Sequence, residues 1–312
     1  MLVLTVAVVL ALAVLVYTRI VERRHPPVGR FLDCDGVRLH YVERGPPDAP
    51  PLLLLHGNGA MVQDFLSSGL VDLAARRFRV LCFDRPGFGY SSRPRARRWT
   101  PEAEAALFTR ALARLGAARP LVLGHSWGTL VALALAHPVP VKGLVLVAGY
   151  YFPTGRRDVW LTSGLAVPIL GDILSFTIAP VLSALLLPKL LRMIFDPRPV
   201  ADSFRRGFPL PLTLRPRALR TASEESAFMV PAARRLAPSH ALLRCPVAIV
   251  AADGDRLIEP EQAPRLHAML PRATLIYIRD AGHMVHHAAP ARIMEAVEEV
   301  WAEAEKMEQG HA

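Results

Sequence analysis

Short, almost wholly apolar runs recur along residues 28–150 and 240–305, separated by turn signals and helical stretches. The runs at 52–55, 78–83, 120–123, 141–147, 247–251 and 273–278 lack the alternation of a half-solvated strand. Near-continuous apolar strands of this length belong in a parallel sheet covered on both faces. Residues 28–32 and 37–43 instead flank Asp35-Gly36, a strong turn pair, and read as a hairpin. Segments 101–115 and 290–304 place apolar residues at helical spacing and are expected to cover the sheet. The spacing shows no internal repeat.

Two regions depart from this rhythm. Leu2 to Thr18 carries no charged side chain and is dominated by Leu, Val and Ala, with Arg19, Arg23 and Arg24 closing it. About 18 helical residues rise roughly 27 Å, near the minimum for a bilayer core. No basic residue precedes the run, and Tyr17-Thr18-Arg19-Ile20 is a poor cleavage site, so an uncleaved anchor at 1–20 is favoured over a secretory signal. The basic flank on its C-terminal side places the following domain on the cytoplasmic face by the positive-inside rule. Residues 21–27, with Pro26-Pro27, are expected to link anchor and body. The second region, 151–239, is strongly apolar at 161–174 and 176–195 but interrupted by Pro168, Pro180 and Pro188. Those prolines, and the need to return to a soluble core, argue against a second membrane span. The segment reads as an apolar, proline-broken helical insertion after the sixth strand. It could receive an acyl chain and touch the bilayer, or pack its apolar faces inward.

Candidate chemistry centres on Gly124-His125-Ser126-Trp127-Gly128, which follows the apolar run ending at Leu123 and precedes a helical stretch. A serine between glycines at a strand-to-helix turn can hold a strained backbone and lift its hydroxyl above the strand end. Such a nucleophile needs a base and an acid that orients the base. His283, behind Gly282 and just past the strand at 273–278, is the expected base; His286 and His287 are weaker candidates. The acid comes from the loop after 247–251, where Asp255 is favoured over Asp253, which precedes Gly254 as a common turn pair. After the run at 52–55, His56-Gly57-Asn58-Gly59 is small enough for the Asn58 N–H to approach a substrate oxygen together with the Trp127 N–H. Each such donor is worth roughly 3 kcal/mol to a tetrahedral oxyanion.

With these motifs in order, the chain resembles the α/β-hydrolase superfamily. His56 to Gly59 is similar to its oxyanion motif, Asp84-Arg85-Pro86-Gly87-Phe88-Gly89-Tyr90-Ser91 to its loop after the fourth strand, and Gly124 to Gly128 to its nucleophile elbow. Cys245-Pro246 through Asp255, then Gly282-His283, resemble the acid and base segments. The resemblance implies a mostly parallel central sheet with helices on both faces, a core at 28–150 and 240–305, and a cap at 151–239. One departure stands out: a glutamate often follows the catalytic histidine in the family, whereas His287-Ala288-Ala289-Pro290 stands here. Haloalkane dehalogenases and epoxide hydrolases of the family carry aspartate as nucleophile, so Ser126 disfavours both.

Charge changes little. The net charge of +10 is carried by arginine, with Lys142, Lys189 and Lys306 the only lysines, and pairs such as Arg156-Arg157 are scattered without interleaved aromatics. No nucleic-acid partner is expected; anionic lipid headgroups are the more economical functional reading, and a base composition favouring arginine codons accounts for the charge at least as well. Cys34, Cys82 and Cys245 form neither metal-ligand spacing nor a disulfide framework, and Cys82 reads as a core residue. The expected activity is serine hydrolysis of a lipophilic ester, lipid or monoacylglycerol-like, through an acyl-enzyme and without metal or organic cofactor. A cofactor-free haloperoxidase or perhydrolase and a C–C hydrolase share the triad. A non-catalytic ligand-binding protein would have no need of all four features.

Overall fold

The computed structural model describes residues 1–137, 140–155, 159, 162–270 and 272–310. Arg156-Arg157 and Leu161, at the start of one apolar cap segment, lie outside the described residues. Eight strands among the described residues form one sheet: β1 (Arg30–Cys34), β2 (Val37–Arg44), β3 (Pro51–Leu55), β4 (Arg79–Phe83), β5 (Leu121–His125), β6 (Gly143–Val147), β7 (Val247–Ala252) and β8 (Thr274–Ile278). Their order is β1-β2-β4-β3-β5-β6-β7-β8, with β1 and β2 antiparallel to their neighbours and the rest parallel. Asp35 and Gly36 both take positive φ, 51° and 72°, as a tight two-residue hairpin requires.

The helices are α1 (Leu2–Arg24), α2 (Val62–Ser67), α3 (Leu70–Ala74), α4 (Pro101–Arg114) and α5 (Trp127–Leu135). The insertion between β6 and β7 carries α6 (Leu170–Ser175), α7 (Ala179–Phe195), α8 (Asp202–Gly207), α9 (Leu210–Thr213) and α10 (Pro216–Leu236). Then come α11 (Gln262–Met269), α12 (Val285–Ala288) and α13 (Pro290–Gln309).

Alternate residues of each parallel strand point to opposite faces, and both faces are apolar because both are covered. Leu53 and Leu55 of β3, Leu81 and Phe83 of β4, and Leu144 and Leu146 of β6 join one core with α4 and α5. Leu52, Leu54, Val80, Cys82, Val145 and Val147 join the other, beneath α2, α3 and α13. Thr100 caps α4 by accepting from the Ala103 N–H at 3.3 Å, and Pro101 follows at the first helical position.

α1 does not stop near residue 20. It continues to Arg24, so the expected linker over 21–27 shrinks to the few residues before β1. Docking explains the extension. Val21 is buried in an apolar cluster with Phe195, Phe204, Phe208 and Leu212, and Glu22 pairs with Arg215 at 2.9 Å. Among the described residues, Leu4–Arg24 is the one helix long and apolar enough to cross a membrane. The insertion divides as its prolines foreshadow: Pro168 precedes α6 and Pro180 opens α7, although α7 runs on through Pro188. The end of α10 belongs to the body, since Ala232, Ala233 and Leu236 pack in the α4–α5 core.

Candidate active site

Ser126 joins β5 to α5 with φ 52° and ψ −120°, a conformation costly to a residue bearing a side chain. Its own N–H bonds the Val147 carbonyl at 2.9 Å, and its carbonyl accepts from the Thr129 N–H at 3.0 Å, so the turn is pinned on both sides. The flanking glycines are demanded by close approach. A Cβ on Gly128 would collide with the Leu55 carbonyl oxygen, and one on Gly124 would lie 2.6 Å from the Gly128 carbonyl carbon. Trp127 opens α5, and the N–H groups of a helix's first turn have no intrahelical acceptor. The positive end of that helix therefore faces the space above Ser126.

The oxyanion loop lies against this elbow. A Cβ on Gly57 would come within 3.0 Å of the Ser126 Cβ. Arg85, fully buried, fixes the loop's carbonyls: its Nε donates to His56 O at 2.7 Å and its Nη2 to Gly57 O at 3.1 Å. Asn58 is tied to the cap, its Nδ2 donating to the Ala222 carbonyl of α10 at 3.0 Å. His56 receives the Arg85 N–H on Nε2 at 2.9 Å, and burial beside Arg85 pushes its pKa down to about 3, so the ring is neutral.

His283 and Asp255 meet. His283 Nδ1 lies 2.8 Å from Asp255 Oδ2, with both side chains only 7% exposed. Asp255 Oδ1 accepts the N–H groups of Leu257 and Ile258 at 2.8 and 3.1 Å. Burial would raise this carboxyl, but His283 and the two amides outweigh it and hold it below the usual range. Asp253 does not share the contact; its N–H continues the strand pairing to Ile278 O at 3.3 Å. His125 Nε2 donates to the His283 carbonyl at 3.0 Å, which fastens the base loop to the residue beside Ser126.

His286 and His287 turn away to another carboxylate. Their Nε2 atoms lie 3.0 and 2.9 Å from Asp64 Oδ1, all three side chains being buried. Burial acts to raise Asp64, yet the two imidazoles hold it well below its ordinary value. Asp64 of α2 is thus the carboxylate that faces His286 and His287. Asp64, His125 and His286 are also the one group among the described residues whose ligand atoms, within 4.8 Å of one another, could hold a metal ion. In the present arrangement Asp64 Oδ1 accepts a hydrogen bond from His287 Nε2 at 2.9 Å, while Asp64 Oδ2 and both ring nitrogens of His286 are buried without a hydrogen-bond partner among the described residues.

Sequence reasoning did not find Asp64, nor the buried set Arg85, Glu104 and Glu225. Arg85 Nη1 lies 3.2 Å from Glu104 Oε2 and 2.5 Å from Glu225 Oε1, with no side-chain exposure in any of the three. Arg85 sits inside a quoted motif, which is a signal. Glu225 has none, because its partner lies 140 positions away.

The model of the alpha/beta hydrolase fold family matches residues 50–290. Haloalkane dehalogenase 2 of Mycobacterium tuberculosis is 29% identical over 290 residues, covering 88% of this chain and 94% of the dehalogenase. Among solved structures, a bacterial membrane phospholipase A superposes with a TM-score of 0.68 at 24% identity, covering 97% of each chain. The enol-lactonase of Burkholderia xenovorans gives 0.69 at 21% identity, covering 88% of this chain and all of the other. With the sheet order, the elbow and the family match in agreement, the chain belongs to the α/β-hydrolase fold family.

Proposed function

We propose that this chain is a serine hydrolase of lipophilic carboxylic esters, held at a membrane by α1 with its catalytic body on the cytoplasmic face. The observation that carries the reading is the buried pair of His283 and Asp255 at 2.8 Å, fastened through His125 to the elbow that bears Ser126. A hydroxyl nucleophile requires a base to take its proton. That favours acyl transfer over the halide displacement named for the mycobacterial relative.

In this mechanism the Ser126 Oγ attacks the ester carbonyl carbon while His283 Nε2 takes its proton, and Asp255 holds the Nδ1 proton. The Asn58 and Trp127 N–H groups stabilise the oxyanion. Collapse breaks the bond to the alcohol oxygen, which leaves with the proton from His283. Water then attacks the acyl-enzyme, giving its proton to His283, and collapse releases the carboxylic acid and restores Ser126. Each step uses only side chains, backbone amides and water.

The long apolar insertion and the hydropathy of α1 favour a lipophilic ester such as a monoacylglycerol. Ser126→Ala should abolish both fluorophosphonate labelling and turnover of a short-chain p-nitrophenyl ester. Labelling that persists at another serine would refute the mechanism, and absence of ester turnover by the wild type would refute the ester reading in favour of the perhydrolase, C–C hydrolase or ligand-binding alternatives.

A further inference from the structure

The cap carries a second apolar surface that faces outward. Ile169 and Leu185 are 75% and 73% exposed, and Leu170, Ile173, Val181 and Leu182 are exposed with them. These residues come from α6, α7 and the turn entering α6, so the exposure is concentrated in one stretch of chain rather than scattered singly. Contiguous apolar exposure of this kind marks a surface with a partner.

Two features identify the partner. The first is continuity with α1. Tyr17 and Val21 of α1 pack in the same apolar cluster as Leu191, Ile194 and Phe195 of α7. The end of the anchor and the end of α7 are therefore fixed to each other, and the cap goes wherever the anchor goes. The second is charge. α7 contains no acidic residue, and its charged positions, Lys189 and Arg192, are basic with stems long enough to reach a headgroup layer.

The same helix ends on the catalytic loops. The Ile194 carbonyl accepts the Met284 N–H at 3.2 Å, directly beside His283. Gly282 and Gly254 leave room for this end: a Cβ at Gly282 would lie 2.9 Å from Ile194 O, and one at Gly254 would lie 2.6 Å from Pro197 Cδ. α7 thus runs from an exposed apolar surface to the loops that carry the base and the acid.

We infer that the outer face of α6 and α7 is seated in the lipid bilayer, and that the ester substrate passes from the bilayer along α7 to Ser126. This rests on α1 being a membrane anchor and on the ester-hydrolase reading, and it assigns a lipid surface to residues that neither reading uses.

The test places an environment-sensitive fluorophore on the full-length protein at Ile169→Cys, Leu185→Cys and, as reference, Glu303→Cys, in phosphatidylcholine–phosphatidylglycerol vesicles. Glu303 lies on the last helix near the N-terminal ends of the strands, where Lys142, just before β6, bonds Glu308 at 2.6 Å. Doxyl-labelled lipid should quench the probes at 169 and 185 and spare that at 303, with aqueous iodide giving the reverse. Equal iodide quenching at all three positions would overturn the inference. So would probes at 169 and 185 shielded from both quenchers and cross-linking between copies, which would make this face a dimer contact. Leu182→Glu combined with Leu185→Glu should lower the ratio of vesicle-embedded to soluble ester hydrolysis about tenfold, because interfacial seating scales with buried apolar area. The quenching pattern needs no turnover, so an inactive wild type would sink the ester-hydrolase reading while leaving the seating of the cap to be decided by the probes.

Discussion

Asp255 accepts three hydrogen bonds, two from the amides of its own loop and one from His283. The amides aim the second oxygen at the imidazole, and the bond keeps the proton on Nδ1, leaving Nε2 as the base. Asp255→Asn should cut kcat by about four orders of magnitude by stabilising the wrong tautomer. Asp253→Asn should stay near wild type in the same ester assay, and equal losses in the two variants would contradict the assignment. Because its folded pKa is depressed, Asp255 contributes stability that is present above its unfolded value and lost as pH falls through the folded one. In the sequence the two aspartates are separated only by position, two residues apart around Gly254. What distinguishes them is the pair of amides at Leu257 and Ile258, a contact set by loop conformation and invisible to composition. The glycines around Ser126 were legible because a steric demand leaves a mark in the sequence itself.

α10 ties the cap to the site. It supplies the Ala222 carbonyl to Asn58 and the Glu225 carboxylate to Arg85, whose guanidinium holds the carbonyls of His56 and Gly57. The oxyanion loop is therefore shaped by the cap as well as by the strand it follows. Burial pushes the Glu225 carboxyl up to about 7 against the pull of Arg85, and Glu104 on the same guanidinium adds to the rise. A carboxyl raised in the folded state stabilises fully below its unfolded value, and that contribution is lost as pH climbs through the folded one. Glu225→Gln does not titrate, so the melting temperature of the wild type relative to this variant should be higher at pH 5 than at pH 8. A difference independent of pH would show that Glu225 does not titrate in this interval. The strands were readable because burial on both faces leaves unbroken apolar runs. The tie through α10 was not, since its polar residues satisfy one another across the fold and follow no local period.

At the scale of the whole molecule, the C-terminal turns of α1 are part of the packing. Arg215, nearly buried, donates to Glu22 at 2.9 Å and to the Leu212 carbonyl at 3.0 Å, and also bonds the Gly89 carbonyl. The Tyr90 hydroxyl bonds the His25 carbonyl on the same side. Arg215→Ala should release the end of the helix, so that proteinase K cleaves within 25–29 several-fold faster than in the wild type while the hydrolase body stays resistant. Unchanged cleavage would mean that Val21 and its apolar neighbours suffice to hold it. The loops bearing Asp255 and His283, the end of α7 and the end of α1 thus meet around residues 194–197. That junction has a consequence for engineering. Its contacts to the loops bearing Asp255 and His283 run through main chain and through the space left by two glycines, so they constrain the backbone path there. A cap borrowed from another family member should function on this body when the graft keeps that four-residue seat together with the α10 contacts of Ala222 to Asn58 and Glu225 to Arg85.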